Sequence, residues 1–215
     1  PISLVIFDLD GTLIDAYPAI VDSFNYAMRQ CGYPLQEKRL ICEAVGWGDS
    51  NLIKPFVAPE DLPFVLAAYR RHHAQALRLK ARLFPGVKKV LRHLKQQGYK
   101  LAVASNRPTK FSLILLRHLG IRPFFSCVLC ADKLKQGKPH PEILIRIMQR
   151  FSVKPKAALF VGDMPLDAQA GRSAKIKTVI VTTGFSSRKS IRRQKPYAII
   201  AHLSELIKLP CLVKG

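Results

Sequence analysis

The stretch Leu4-Val5-Ile6-Phe7-Asp8-Leu9-Asp10-Gly11-Thr12 decides how the rest of the chain is read. Four consecutive apolar residues, two of them β-branched, have the character of a buried strand. The run stops at two carboxylates two residues apart, followed by Gly11 and Thr12. A buried parallel strand delivers its C-terminal end to the crevice where open α/β sheets bind ligands. Two acids there are costly unless a cation or a proton neutralises them. The pattern points to a nucleophile, a general acid/base and a hard metal ion. Asp-Gly is also ordinary turn chemistry, so the partners must come from elsewhere in the chain.

Beyond this stretch the chain changes character twice. Residues 16–80 carry helical spacing throughout, with Ile20, Val21, Phe24, Ala27 and Met28 on one face of a helix over 17–30 and Gly32 as its stop signal. Shorter helical patterns cover 35–45 and 51–57, on either side of Gly46-Trp47-Gly48, and a longer one covers 60–79. From residue 83 strands and helices alternate. Strands are expected at 101–104, 127–130, 157–161, 178–182 and 198–200, with helices at 87–97, 110–119, 141–151, 166–174 and 203–209. Alternation of this kind predicts an α/β fold, a Rossmann-like parallel-sheet core with helices on both faces. The helical stretch is then an inserted all-α cap. The expected division is 1–14 and 82–215 for the core and 15–81 for the cap.

The 215 residues have 48% hydrophobic and 23% charged content, ordinary for a globular chain. No apolar run approaches the ~20 residues of a membrane span. The N-terminal apolar run is too short for a signal peptide and has no basic flank, and the chain starts at Pro1, as if an initiator Met were removed or unnumbered. A cytoplasmic location without membrane contact is the expectation. Cys127 and Cys130 have CxxC spacing, but in a strand residues i and i+3 face opposite ways. They are read as buried thiols rather than a redox or zinc pair.

The net charge of +21 is unevenly spread. Residues 15–82 hold nine basic and seven acidic residues, while the remainder holds 26 basic and only seven acidic ones. A field of that sign attracts anionic substrates. It would also suit a polyanion- or nucleic-acid-binding protein, the reading from a different functional class. Against that, aromatics do not interleave the basic run 188–195, and no nucleic-acid motif is present.

Three further polar clusters fall at expected strand ends or helix starts: Ser105-Asn106-Arg107-Pro108, Gly137-Lys138-Pro139-His140-Pro141-Glu142 and Gly162-Asp163-Met164-Pro165-Leu166-Asp167. In a parallel sheet these ends share one edge with Asp8. Together with Asp8-Leu9-Asp10-Gly11-Thr12-Leu13, the clusters resemble the four motifs of the haloacid dehalogenase superfamily of phosphotransferases. The helical stretch resembles that superfamily's small cap, and the chain is most similar to phosphoglycolate phosphatase-like hydrolases over nearly its whole length.

The resemblance implies the following roles. Asp8 attacks phosphorus and forms an aspartyl-phosphate. Asp10 protonates the leaving oxygen and then takes a proton from water, and its pKa is expected to be raised by neighbouring acids. Gly11, Ser105 and the backbone of Asn106, with Asp8, Asp10 and Lys138, surround the phosphoryl group. Lys138 neutralises the crowded carboxylates and orients Asp8. Mg²⁺ is the implied cofactor, held by Asp8, the Asp10 carbonyl and Asp163, with Asp167 supporting directly or through water. Phosphoryl transfer needs positioning and positive charge around the equatorial oxygens, and Mg²⁺ takes a few carboxylates and keeps waters.

Within the family, dehalogenases lack the second aspartate, so Asp10 points to phosphate chemistry. Mutases of β-phosphoglucose usually carry a cap His shortly after the first motif, and 16–22 has none. Phosphonatases use a cap lysine; Lys54 and Lys80 read better as surface residues. The leading expectation is a Mg²⁺-dependent phosphatase for a small anionic phosphomonoester, phosphoglycolate-like. Inorganic pyrophosphate hydrolysis and sugar-phosphate phosphatase or mutase activity stand as alternatives. The cap turn Gly46-Trp47-Gly48 resembles the glycine-bearing loop that faces the site in these relatives, so it is the candidate for substrate selection, with Trp47 alternatively packed between cap helices. His72 and His73 point in different directions on a helix and do not form a metal pair. The expected assembly is a monomer or homodimer.

Overall fold

The computed structural model describes residues 1–212. Its centre is a six-stranded sheet built from β1 (Leu4–Phe7), β4 (Lys100–Ser105), β5 (Cys127–Cys130), β6 (Ala158–Gly162), β7 (Lys177–Val181) and β8 (Ala198–Ile200). The spatial order is β5-β4-β1-β6-β7-β8, and every neighbouring pair is parallel. β1 therefore lies at the point where the chain stops building to one side and starts building to the other, which is where open α/β sheets leave a crevice.

Strands covered on both faces read as unbroken apolar runs, and this sheet shows why. Val5 and Phe7 of β1 join Leu101, Val103, Leu159 and Val161 in one core cluster, while Leu4 and Ile6 join Ala102, Ala104 and Phe160 in another. The second cluster is closed by Ile143, Leu144 and Ile147 of α7 (Glu142–Phe151) and by Ala170 of α8 (Pro165–Ser173). The first is shared with α5 (Val87–Gln96), α6 (Thr109–His118) and the N-terminal helices. A side chain such as Phe7 or Phe160, fully buried, contributes about 1.5–3 kcal/mol.

Between β1 and β4 the chain runs through α1 (Tyr17–Gln30), α2 (Lys38–Glu43), α3 (Asp49–Ile53) and α4 (Leu62–Lys80). Proline in the first turn of α1 and α4 is compatible with the helix start, where its missing N–H goes unused. α1 buries Tyr17, Ile20, Phe24 and Met28, and α4 buries Val65, Tyr69, His73, Ala76 and Leu77. Two strands absent from the sequence reading bracket this segment. β2 (Ile14–Asp15) pairs antiparallel with β3 (Arg82–Leu83), joining Ile14 to Leu83 and Asp15 to Arg82. Two residues are too few to carry a periodicity.

The helix expected over 51–57 divides into α3 and a 3₁₀ turn at Lys54–Phe56, where Pro55 cannot continue the α-helical hydrogen bonding. The terminal helix expected over 203–209 is a 3₁₀ turn, Leu203–Lys208. The basic run forms the short α9 (Arg188–Arg193), with Ile191 buried and the basic side chains facing solvent. Cys127 and Cys130 are buried free thiols on β5, in the arrangement their spacing predicted. Among the described residues no helix is long and apolar enough to cross a membrane.

Candidate active site

Each motif residue follows directly from the sheet. Asp8 is the first residue past β1, and its N–H donates to Val161 O at 2.9 Å, so the ladder with β6 continues into it. Ser105 closes β4, Asp163 follows β6, and Asp167 lies on α8 immediately after it. Lys138 precedes α7. Four separate chain segments thus converge on one edge of the sheet.

Lys138 is the hub of this convergence. Its Nζ lies 2.8 Å from Asp8 Oδ1 and 2.7 Å from Asp167 Oδ1, with all three side chains buried. Asp167 turns its other oxygen to the backbone N–H groups of Asp163 and Met164, at 3.2 and 3.0 Å. Asp163 accepts from the Thr12 hydroxyl at 3.1 Å. Asp8, Asp163 and Asp167 each place a carboxylate oxygen within 4.8 Å of the others, enough to surround a single cation.

Charge bookkeeping shows what such a cluster lacks. Burial pushes the Asp8 carboxyl up to about 7, with the Asp167 and Asp10 carboxylates adding to the rise and Lys138 opposing it. Asp163 is driven well above the ordinary carboxylate range by burial, then by Asp167 and Asp8. Burial disfavours the Lys138 charge, but Asp167 and Asp8 outweigh it and hold the ammonium protonated. One lysine does not balance three buried carboxylates. A divalent cation with a preference for hard oxygen donors completes the balance, so the residues fit Mg²⁺.

Gly11 and Gly184 press against the same carboxylate. A Cβ on either would fall inside contact distance of Asp163 Oδ2, and Gly11 also needs its φ of +77°. Gly11 therefore serves the site by leaving room for Asp163.

Asn106 and Arg107 extend the site toward the helical segment. The Asn106 side chain accepts from Lys138 N at 2.8 Å and donates to Lys138 O at 2.9 Å and to Gly46 O at 2.8 Å. With its amide so engaged, the backbone N–H is the group left to face a ligand. Ser105 Oγ accepts from Arg107 N at 3.2 Å, which uses an oxygen lone pair and leaves the hydroxyl proton for an incoming oxygen.

Asp10 is placed differently from expectation. Its nearest charged partner is a guanidinium rather than another acid: Arg107 Nε donates to Oδ2 at 2.9 Å and Nη2 to Oδ1 at 2.8 Å. Arg107 Nη1 also contacts His73 Nε2 at 2.7 Å. His73 Nδ1 lies 3.0 Å from Ser23 Oγ, which donates to Ala19 O at 2.8 Å. Burial pushes the His73 pKa down to about 2, with Arg107 and His72 acting in the same direction. The neutral ring then accepts from Arg107 and donates to Ser23, a tautomer assigned from the network. Neither Arg107 nor His73 stood out in the sequence. His73 had a signal, because it continues the Val65-Tyr69 row at a spacing of four.

A cleft is lined by Asp8, Asp10, Ser105, Asn106, Arg107 and Lys138 on one side and by Gly46, Gly48, Tyr69 and His73 on the other. Trp47 does not line it, and the residue is 49% exposed. His140 is exposed too, its Nδ1 accepting from Glu142 N at the start of α7.

Comparison with known proteins gives a consistent outcome. The family model for haloacid dehalogenase-like hydrolases matches residues 5–181. A phosphoglycolate phosphatase from Nitrosococcus oceani is 31% identical, covering 96% of this chain and 95% of its own. One from Vibrio parahaemolyticus is 32% identical over 97% and 96%. A crystal structure described as a predicted phosphoglycolate phosphatase from Haemophilus somnus 129PT superposes with a TM-score of 0.91 at 30% identity, covering 96% of this chain and 97% of that one.

Proposed function

The chain belongs to the haloacid dehalogenase-like hydrolases and is a phosphoric monoester hydrolase; we propose that it is a Mg²⁺-dependent phosphatase of small phosphorylated carboxylates such as 2-phosphoglycolate, working through an aspartyl-phosphate on Asp8. In this reading residues 1–14 and 82–215 are the catalytic core and 15–81 a cap over it. The protein acts in the cytoplasm as a monomer or homodimer. The observation that carries the proposal is the Asp8–Lys138–Asp167 contact set beside Asp163, at the sheet edge where Ser105 also ends its strand.

Lys138 fixes the Asp8 carboxylate through Oδ1 and leaves Oδ2 for attack on phosphorus. As that bond forms, the ester P–O bond breaks and Asp10 gives its proton to the departing oxygen. In the second half Asp10 takes a proton from water, whose oxygen attacks phosphorus and releases Asp8. Splitting hydrolysis in this way is covalent catalysis, with Asp10 as acid and then base. The Ser105 hydroxyl and the Asn106 backbone N–H hold equatorial oxygens, and Gly11 leaves the space that Asp163 occupies beside them.

Asp8, Asp163 and the Asp10 carbonyl would hold Mg²⁺. Asp167 has one oxygen on Lys138 and the other on two N–H groups, which suits support rather than direct ligation. The ion, when bound, supplies positive charge against the phosphoryl oxygens.

The test is phosphate release across a panel of phosphorylated carboxylates, sugar phosphates, pyrophosphate and an aryl phosphate, with Mg²⁺ present and Asp8→Asn as the blank. Release that survives Asp8→Asn overturns the mechanism. Pyrophosphate or a sugar phosphate as the best substrate overturns the substrate class.

A further inference from the structure

The mechanism uses the Asp10 carboxyl but finds no employment for the cation that holds it. Both Asp10 oxygens are taken by Arg107, at 2.9 and 2.8 Å. Asp10 cannot keep that pairing and also present a proton to a leaving oxygen. Among the described residues Asp10 is the only acid ion-paired with Arg107, whose side chain is 7% exposed. Pulling Asp10 away would strand a buried guanidinium, which is strongly unfavourable. Something anionic must take its place.

We infer that Arg107 selects substrates bearing a carboxylate next to the phosphate ester, exchanging the Asp10 carboxylate for the substrate's own. This rests on the phosphatase reading and names the feature by which it chooses its substrate.

Three observations carry it. The guanidinium is a planar fork already matched to a carboxylate in the resting protein, and bidentate pairing is what distinguishes arginine from a point charge. It is also held independently of Asp10. Nη1 is fixed on His73, and His73 on Ser23, so the fork stays in place while its anion changes. Finally, the rest of the cavity offers little to a polyol. Ile20, Val45, Leu52 and Phe111 line it, and the nearby Asp49 is spent on Arg70 at 2.7 and 3.1 Å.

The chemistry of the substrate fits these positions. In 2-phosphoglycolate a single methylene separates the ester oxygen from the carboxylate. The acid serving that oxygen and the cation serving that carboxylate must then be neighbours, as Asp10 and Arg107 are. Substrate binding thereby releases Asp10 for its task, which couples recognition to catalysis.

The experiment compares kcat/KM for 2-phosphoglycolate with that for 2-hydroxyethyl phosphate, which has a hydroxymethyl group in place of the carboxylate, and for p-nitrophenyl phosphate. Measurements are made on the wild type, Arg107→Gln and Arg107→Lys, with Asp8→Asn as the blank. The wild type is expected to prefer the carboxylate by roughly a hundredfold or more over the hydroxyethyl ester. Arg107→Gln is expected to bring that ratio down at least tenfold. Arg107→Lys, which keeps the charge and loses the fork, is expected to lower it as well, and it decides the matter if the glutamine variant does not fold. A wild type that cleaves all three esters without preference overturns this inference together with the carboxylate substrate class, and leaves the phosphatase activity itself standing. A ratio unchanged in a folded Arg107 variant overturns this inference alone. A wild type that cleaves none of them overturns both.

Discussion

Lys138 Nζ stands 2.8 Å from Asp8 Oδ1, and the same nitrogen reaches Asp167 Oδ1 at 2.7 Å. The nucleophile is therefore held by a cation that is itself held by a third residue on another segment of chain. Lys138→Met removes the only ammonium that, among the described residues, meets these buried carboxylates. Breaking a buried pair from one side costs about 3–5 kcal/mol, so urea unfolding should show a loss of that order without Mg²⁺. Phosphate release should fall by about a hundredfold or more. A variant with wild-type stability in the presence of chelator would show that Asp8 and Asp167 do not depend on this lysine.

Metal removal should be visible without any substrate. A ligand that binds only the folded state at a hundred times its Kd stabilises by about 2.7 kcal/mol. Adding Mg²⁺ to chelated protein should raise Tm, and Asp163→Asn should abolish most of that rise. Equal shifts in both proteins would place the ion elsewhere.

Gly184→Ala puts a methyl group against Asp163 Oδ2. Either the carboxylate or the turn after β7 that carries Gly184 has to shift, and both disturb the position of Asp163. Mg²⁺ affinity measured by titration calorimetry should drop at least tenfold, while the Tm of the metal-free protein changes by a few degrees at most.

His73 should remain neutral where ordinary histidines titrate. Its folded pKa of about 2 lies below the unfolded value of 6.5. Between those limits the unfolded chain binds a proton that the folded chain refuses, so this residue destabilises the protein as pH falls below 6.5. The slope approaches about 1.4 kcal/mol per pH unit. The imidazole NMR signals of His73 should show no titration from pH 8 to 5. The stability difference between wild type and His73→Gln, in Mg²⁺, should shrink over the same range.

The loop Gly46-Trp47-Gly48 should respond at its glycines more than at its tryptophan. A Cβ on Gly46 would collide with Met164 Sδ, and Gly46 has a φ of +114°. Gly46→Ala is expected to lower kcat/KM by tenfold or more. Trp47→Ala, at an exposed position, should change unfolding free energy by less than ~0.5 kcal/mol and leave substrate preference intact.

What the sequence disclosed follows from how local each signal is. Asp8, Ser105 and Asp163 each end an apolar run of a buried parallel strand, so pattern alone assigns them to one edge of the sheet. Lys138 and Asp167 were legible only as members of recurring motifs, since nothing local says which carboxylate a lysine meets. Arg107 was printed inside one of those motifs yet told nothing, because its partner Asp10 lies at the end of another strand. His73 was read only as pointing away from its neighbour His72, although the buried row of α4 passes through it. Trp47 misled in the opposite direction: a lone large aromatic suggests packing or contact with ligand, and tertiary structure leaves it half exposed and off the cavity wall. The β2–β3 ribbon had no sequence signature, being defined only by the meeting of two distant dipeptides.

That ribbon has an architectural consequence. Ile14 faces Leu83 and Asp15 faces Arg82, so everything between them leaves the sheet and comes back through adjacent points. The closure cost of a chain segment grows only slowly with its length, and here the closure is already made by the ribbon. The helices that hang from this junction do not merely cover the sheet: α4 carries His73 back to Arg107, and Arg107 holds Asp10. A change of helix inside the loop is therefore felt by the reacting groups as well as by whatever binds beside them.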